Sequence, residues 1–178
     1  MGDRHSEPTE DNNLNNTSIG ITRKGNQKEL LLSTIDKLSQ EDENIKNIKG
    51  FLLDTAALES GFKLNSSSKA SSASGWFGFI DSTKRQFAPG VSRNDFNNNP
   101  EIQIKAATNL YYSNLNTAKK LGLLDAAKKK GYSTDDVIHA MWLNPKWATK
   151  FFLYGEKGGK DAFGTDIEKY LKMIHGRK

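Results

Sequence analysis

Apolar residues along this chain recur at helical spacing in segment after segment, and almost nowhere alternate as they would in a strand. Leu30, Leu31, Thr34, Ile35 and Leu38 form one amphipathic face, which fades into the polar Gln40-Glu41-Asp42-Glu43. A second helix is predicted from about Ile45 to Ser60, with Gly61 as its stop. Asn99-Pro100-Glu101 opens a long helix, since proline suits a first turn, and Ile102, Ala106, Leu110 and Leu115 carry it towards Gly122. Leu123 to Gly131 reads as a short helix. Ser133 with Asp136 reads as a capping box ahead of Val137, Ile138, Met141 and Trp142. Asn144-Pro145 restarts a helix through Trp147, Phe151 and Phe152. Thr165 with Glu168 is expected to cap the last one, whose apolar residues are Ile167, Tyr170, Leu171 and Ile174. The expected fold class is mainly α.

Two stretches break the pattern. In residues 1–26, apart from Met1, only Leu14, Ile19 and Ile21 are large and apolar among Asn, Asp, Glu, Ser and Thr. Such a composition cannot bury a core, so a disordered polar arm is expected there and the folded domain over 27–178. The second stretch, Asn65-Ser66-Ser67-Ser68-Lys69-Ala70-Ser71-Ser72-Ala73-Ser74, has the composition of a flexible linker. A linker here would divide the chain into pieces of about 50 and about 100 residues, an awkward split for two cores. Aromatic residues resume at once in Trp76-Phe77-Gly78-Phe79-Ile80, so a polar loop folded over a cleft of one domain is the better expectation.

Composition narrows the chemistry. The 178 residues include no cysteine, which removes disulfides and thiolate chemistry. The three histidines, His5, His139 and His175, lack metal-ligand spacing, so neither metal nor cofactor is expected. The net charge is +5, with clusters at Lys119, Lys120, Lys128, Lys129, Lys130, Lys172, Arg177 and Lys178. Such a surface attracts polyanions, from nucleic acid to teichoic acid, lipopolysaccharide and the cell-wall meshwork. No groove-reading motif accompanies it, and solvated helix faces explain the lysines better than a nucleic-acid site. No run approaches the roughly 18 apolar residues of a membrane span. The first residues also lack the apolar centre of a secretory signal.

One residue stands where its chemistry costs free energy. Ile48, Leu52, Thr55, Ala56, Glu59 and Phe62 share a helical stripe, and Glu59 is its only ionisable member. A carboxyl there loses hydration, its neutral form is favoured and its pKa rises. A carboxylic acid still protonated near neutral pH can protonate a poor leaving group. A glutamate at a helix end that merely reaches water is the alternative.

From Glu59 onward the residues resemble a known signature. Glu59-Ser60-Gly61-Phe62, a serine-rich loop, and Ala73-Ser74-Gly75-Trp76-Phe77-Gly78-Phe79-Ile80-Asp81-Ser82-Thr83 resemble the motifs of soluble lytic transglycosylases, which are goose-type-lysozyme-like enzymes. Asn99-Pro100-Glu101 and its long helix are similar to the family's next element. His139-Ala140-Met141-Trp142-Leu143-Asn144-Pro145 stands where the family's third motif belongs, and phage versions vary there. The resemblance spans roughly Ile45 to Phe152. Gly78 occupies the place of a family glutamine, and Asn144 that of a common glycine.

The resemblance implies a lysozyme-like single domain that cleaves the MurNAc-GlcNAc bond of peptidoglycan glycan strands. It implies one acid, Glu59, which protonates the glycosidic oxygen and then deprotonates the C6 hydroxyl to give a 1,6-anhydro product. Ordinary glycosidases use two carboxylates. No second acid is evident here, since Asp54 lies on another face and Asp81 reads as a helix cap. Ser72, Ser74, Phe77, Gly78, Tyr112, Trp142 and Asn144 are the candidate substrate contacts. For Ser72 and Ser74 plain loop roles stand beside contact with Glu59 or sugar, for Phe77 a core role, and for Asn144 an N-cap before Pro145. The arm suggests docking onto other phage virion proteins. Synthesis in a bacterial cytoplasm and action at the cell wall are then expected, within a virion or at lysis. A structural virion protein that keeps the fold without activity is the rival reading, and a basic nucleic-acid-associated protein is a second.

Overall fold

The chain's computed structural model describes residues 23–69, 71–161 and 163–176, with side chains from residue 26 on. Up to residue 22 the expected arm lies outside the described residues. Its last four residues instead open α1 (Arg23–Leu38). Early in that helix the Gln27 carboxamide accepts the Leu64 N–H at 2.7 Å, a tertiary anchor that composition does not reveal.

The fold is mainly helical, and among the described residues the only β pairing is two isolated bridges, Ser67 with Ser74 and Ser74 with Phe79. The helix predicted from Ile45 to Ser60 is two helices, α2 (Glu43–Asn47) and α3 (Lys49–Glu59). They meet at Ile48, whose φ of −112° and ψ of 17° leave helical geometry while its side chain stays buried. After α4 (Asp81–Phe87) and α5 (Arg93–Asn98) comes the long α6 (Pro100–Lys120), capped by Asn99 with proline in its first turn as expected. The buried face of α6 runs through Gln103, Ile104, Ala106, Ala107, Thr108, Tyr111, Asn114 and Ala118; of the predicted face Ala106 is buried, while Ile102, Leu110 and Leu115 pack half-buried at its edge. Its small residues let neighbouring helices approach closely.

Gly122, at φ +71°, turns the chain into α7 (Leu123–Lys129). The Ser133–Asp136 capping box opens α8 (Thr134–Leu143), and α9 (Pro145–Thr149) runs into a π-helical turn over Lys150–Tyr154. The last helix, α10 (Ile167–His175), is capped by Asp166 rather than Thr165. Thr165 is instead drawn back to Asp161, whose Oδ1 accepts its N–H at 2.8 Å. Leu30, expected on the inner face of α1, is exposed.

One hydrophobic cluster extends from Leu31 to Leu171. Helix α6 packs against α1, α2, α4, α5, α7 and α8, and α10 lies against α8 and α3. That last contact sets the end of the chain beside the C-terminal residue of α3, which is Glu59. No helix among the described residues is long and apolar enough to cross a membrane.

Candidate functional site

Helix α3 stops at Glu59 because Gly61 and Phe62 both take positive φ, +59° and +68°. Phe62 is the only described non-glycine residue with positive φ, a conformation that costs about 1 kcal/mol or more in a residue bearing a Cβ. It is held from both sides of its peptide: its N–H donates to Ala56 O at 3.1 Å, and its carbonyl accepts the Trp76 indole N–H at 2.9 Å. The stripe that predicts a buried Glu59 is thus correct through Ala56, while Phe62 belongs to the turn.

The serine-rich segment folds back on itself. Ser68 N–H donates to Ala73 O and Gly75 N–H to Ser66 O, both at 2.9 Å, and Ser74 and Phe79 exchange backbone hydrogen bonds at 3.0 and 2.9 Å. Three side chains tie this loop to the helices. The fully buried Gln103 accepts Trp76 N–H at 2.7 Å and donates to Leu64 O and Phe96 O at 3.0 and 2.9 Å. Trp142 donates its indole N–H to Phe77 O at 3.1 Å, and Arg93 donates to Ser72 O at 2.6 Å. A segment with the composition of a linker is ordered because its backbone polar groups are satisfied by distant partners.

The loop closes one side of a cleft with two unlike lobes. The apolar lobe, about 270 Å³, is lined by Phe79, Ile80, Leu110, Trp142 and Leu143 among others. The smaller, serine-containing lobe, about 190 Å³, is lined by Ser66, Ser67, Ser68 and Ser74 among others. Glu59, Ser71, Ala73, Gly78 and Phe163 line both, so the carboxyl stands where the lobes meet. A larger groove of about 640 Å³ runs past Ser33, Lys37 and Glu101, but its one ion pair, Lys37–Glu101, is exposed and offers no perturbed acid or base in an enclosed setting.

Glu59 keeps partial exposure towards this cleft while protein crowds its other sides. Burial pushes its pKa up from 4.5 to about 7; the Tyr170 hydroxyl opposes the rise and the nearby Asp161 charge adds to it. Tyr170, from α10 and 111 residues away, donates to Glu59 Oε1 at 2.5 Å. The other oxygen, Oε2, lies against Gly78, where a Cβ would approach to 2.7 Å. Gly78 also has φ +63°, so this backbone leaves no room for the glutamine that the family resemblance would put there.

No protein-family model and no curated protein matches this chain. What the site can do is therefore read from its own residues, and the candidate contacts divide sharply. Ser74, Gly78 and Trp142 line the cleft with Glu59. The other four do not belong to that lining. Ser72 accepts the Asp81 N–H at 3.0 Å and so holds the start of α4. Asp81, expected as the cap of that helix, lies inside its first turn, and its carboxylate pairs with Arg93 at 2.6 Å. Phe77 is fully buried in the core, edge-on to Trp76. Tyr112 lies edge-on to Tyr111 and donates to Asn44 O at 3.3 Å. Asn144 spends its side-chain oxygen on the N–H groups of Lys146 and Trp147, the N-cap alternative.

Four residues that matter escape sequence reasoning: Tyr170, Asp161, Phe163 and Gln103. A hydroxyl on the buried stripe of the last helix is the one local signal, because a buried phenol needs a partner. Asp161 is a second carboxylate beside the cleft, one that was not evident in the sequence. Its Oδ1 accepts the Phe163 and Thr165 N–H groups, both at 2.8 Å, so it also builds the rim.

Proposed function

We propose that this protein is a lytic transglycosylase of lysozyme-like fold that cleaves the MurNAc-GlcNAc bond of peptidoglycan, with Glu59 as its acid and base. The observation that carries the reading is a carboxyl with a pKa of about 7 at the junction of two lobes, so that a bond bridging them lies over the acid. An acid whose pKa lies near the working pH is half protonated there and regains its proton readily.

In this reading the two oxygens have different tasks. Oε1 accepts from Tyr170, so the exchangeable proton belongs on Oε2, facing the glycine. Glu59 Oε2 gives this proton to the bridging O4 as the C1–O4 bond breaks, and the carbonyl oxygen of the sugar's N-acetyl group stabilises the cation at C1. The resulting carboxylate takes the proton from the C6 hydroxyl. O6 then bonds to C1, which closes the 1,6-anhydro ring and returns Glu59 to its starting form without water. Tyr170 acts as a positioning residue: it fixes the carboxyl rotamer and steadies the transient carboxylate. Asp161 is committed to its turn, and its charge adds to the rise in the Glu59 pKa that burial causes.

Digestion of purified sacculi by the protein, with mass spectrometry of the products, tests the reading. Anhydro-muramic ends support it, and reducing ends make the protein a hydrolase. Intact wall favours the rival reading of a virion protein that keeps the fold without activity, for which Gly78 in place of glutamine is the specific observation. A place in a virion, with the arm as its attachment, goes with either reading.

A further inference from the structure

We propose that Phe163 is a stacking wall for the substrate, packing against the apolar C–H face of one pyranose ring of the glycan where the two lobes meet. The inference rests on the proposed function, since it names a sugar contact within the same cleft. Phe163 is 71% exposed, and an exposed phenylalanine is in itself ordinary. Its placement is not. It lines both lobes beside Glu59, which no residue of the helices except Glu59 itself does.

Backbone groups beside the ring are hydrogen-bonded to Asp161. Asp161 Oδ1 accepts the N–H groups of Phe163 and Thr165, Asp161 O accepts Gly164 N–H at 3.0 Å, and Asp161 N–H donates to Thr165 O at 3.0 Å. Gly164, at φ +72°, completes the turn, and α10 with Tyr170 comes next. An aromatic side chain left uncovered beside the acid leaves apolar area available to a ligand.

The rest of the lining suits the remainder of a sugar. A pyranose has an apolar C–H face and a rim of hydroxyl and amide groups. Serines line the smaller lobe together with Phe163, and Ser74, 2% exposed, has a hydroxyl with no partner among the described residues. Phe79 and Trp142 also line the larger lobe, and Phe163 is the aromatic residue common to both lobes.

Calorimetric titration of full-length protein with soluble, uncrosslinked glycan strands tests this, on a Glu59→Gln background so that the ligand survives. Adding Phe163→Ala should weaken binding about tenfold to a hundredfold, the equivalent of uncovering one large apolar side chain. Adding Phe163→Trp should hold it within about threefold, since the larger ring offers the same kind of face. The melting temperature of Phe163→Ala should match that of the parent, because an exposed ring contributes little to folding. Equal binding by the Ala variant overturns the inference while leaving the proposed function standing, as does a clear loss of stability. No binding by Glu59→Gln itself, together with no wall cleavage by the wild type, overturns both.

Discussion

Two carboxyls in this molecule are held by the same helix and driven in opposite directions. Glu59 meets α10 through Tyr170, and Asp136 meets it through His175, whose Nε2 lies 2.7 Å from Asp136 Oδ1. Burial pushes both pKa values up. At Asp136 that push is outweighed by the Ser133 backbone N–H, the His175 ring and the Ser133 hydroxyl, so the carboxyl stays below its ordinary range. At Glu59 one phenol opposes the burial, and the Asp161 charge reinforces it. The number and kind of donors, not depth alone, decide which acid is structural and which keeps a proton to give.

The largest effect expected is on Glu59→Gln. The amide keeps the shape and can still accept from Tyr170, but it cannot give and reclaim a proton. Wall cleavage should fall by about 10²–10⁴-fold or more, because in the proposed mechanism one residue fills both roles. A mutant that lyses purified sacculi at the wild-type rate removes Glu59 from the chemistry altogether.

Stability against pH separates the two acids next. The folded pKa of Glu59 is raised, so its ionisation costs stability as pH climbs from 4.5 through about 7. Glu59→Gln should melt close to the wild type at about pH 4 and above it at about pH 8, by at most about 3 kcal/mol. The folded pKa of Asp136 is lowered, so its contribution is present above its unfolded value and lost as pH falls through the folded one. Asp136→Asn should therefore cost about 1–3 kcal/mol at neutral pH and progressively less in acid. Melting curves in which both variants shift the same way at neutral pH would erase the contrast.

Tyr170→Phe sharpens it at a smaller scale. Removing the hydroxyl deletes the group that holds the Glu59 pKa down, so the alkaline limb of the pH–rate profile should move to higher pH. Cleavage near neutral pH should drop about tenfold, the scale of one hydrogen bond to a charged group in the transition state. An unmoved limb would mean that Tyr170 only packs. Smallest is His175→Ala, whose partly exposed pairing should be worth under about 1 kcal/mol in a thermal melt. A larger loss would show that α10 depends on this anchor.

The sequence carried the local half of this protein. Helix starts at Asn99 and Ser133, the stop after Glu59, and the acid on a buried stripe all come from spacing and capping, interactions that span a few residues. Boundaries moved where another partner competed: Asp166 caps α10 because Thr165 is pulled onto Asp161 four residues earlier, and α1 starts early, with Gln27 anchored to the distant Leu64. Four of the seven candidate contacts lie outside the cleft lining for a related reason. Ser72, Phe77, Tyr112 and Asn144 have the right chemistry for a sugar, but a polar atom or ring is spent on whichever partner lies nearest. For these four that partner is a helix end, a carbonyl or the core. Only tertiary structure joins Tyr170 to Glu59, sets Phe163 over both lobes and assigns Gln103 three backbone partners. A buried acid must find its donors wherever packing brings them, and no short-range pattern encodes a contact made across 111 residues.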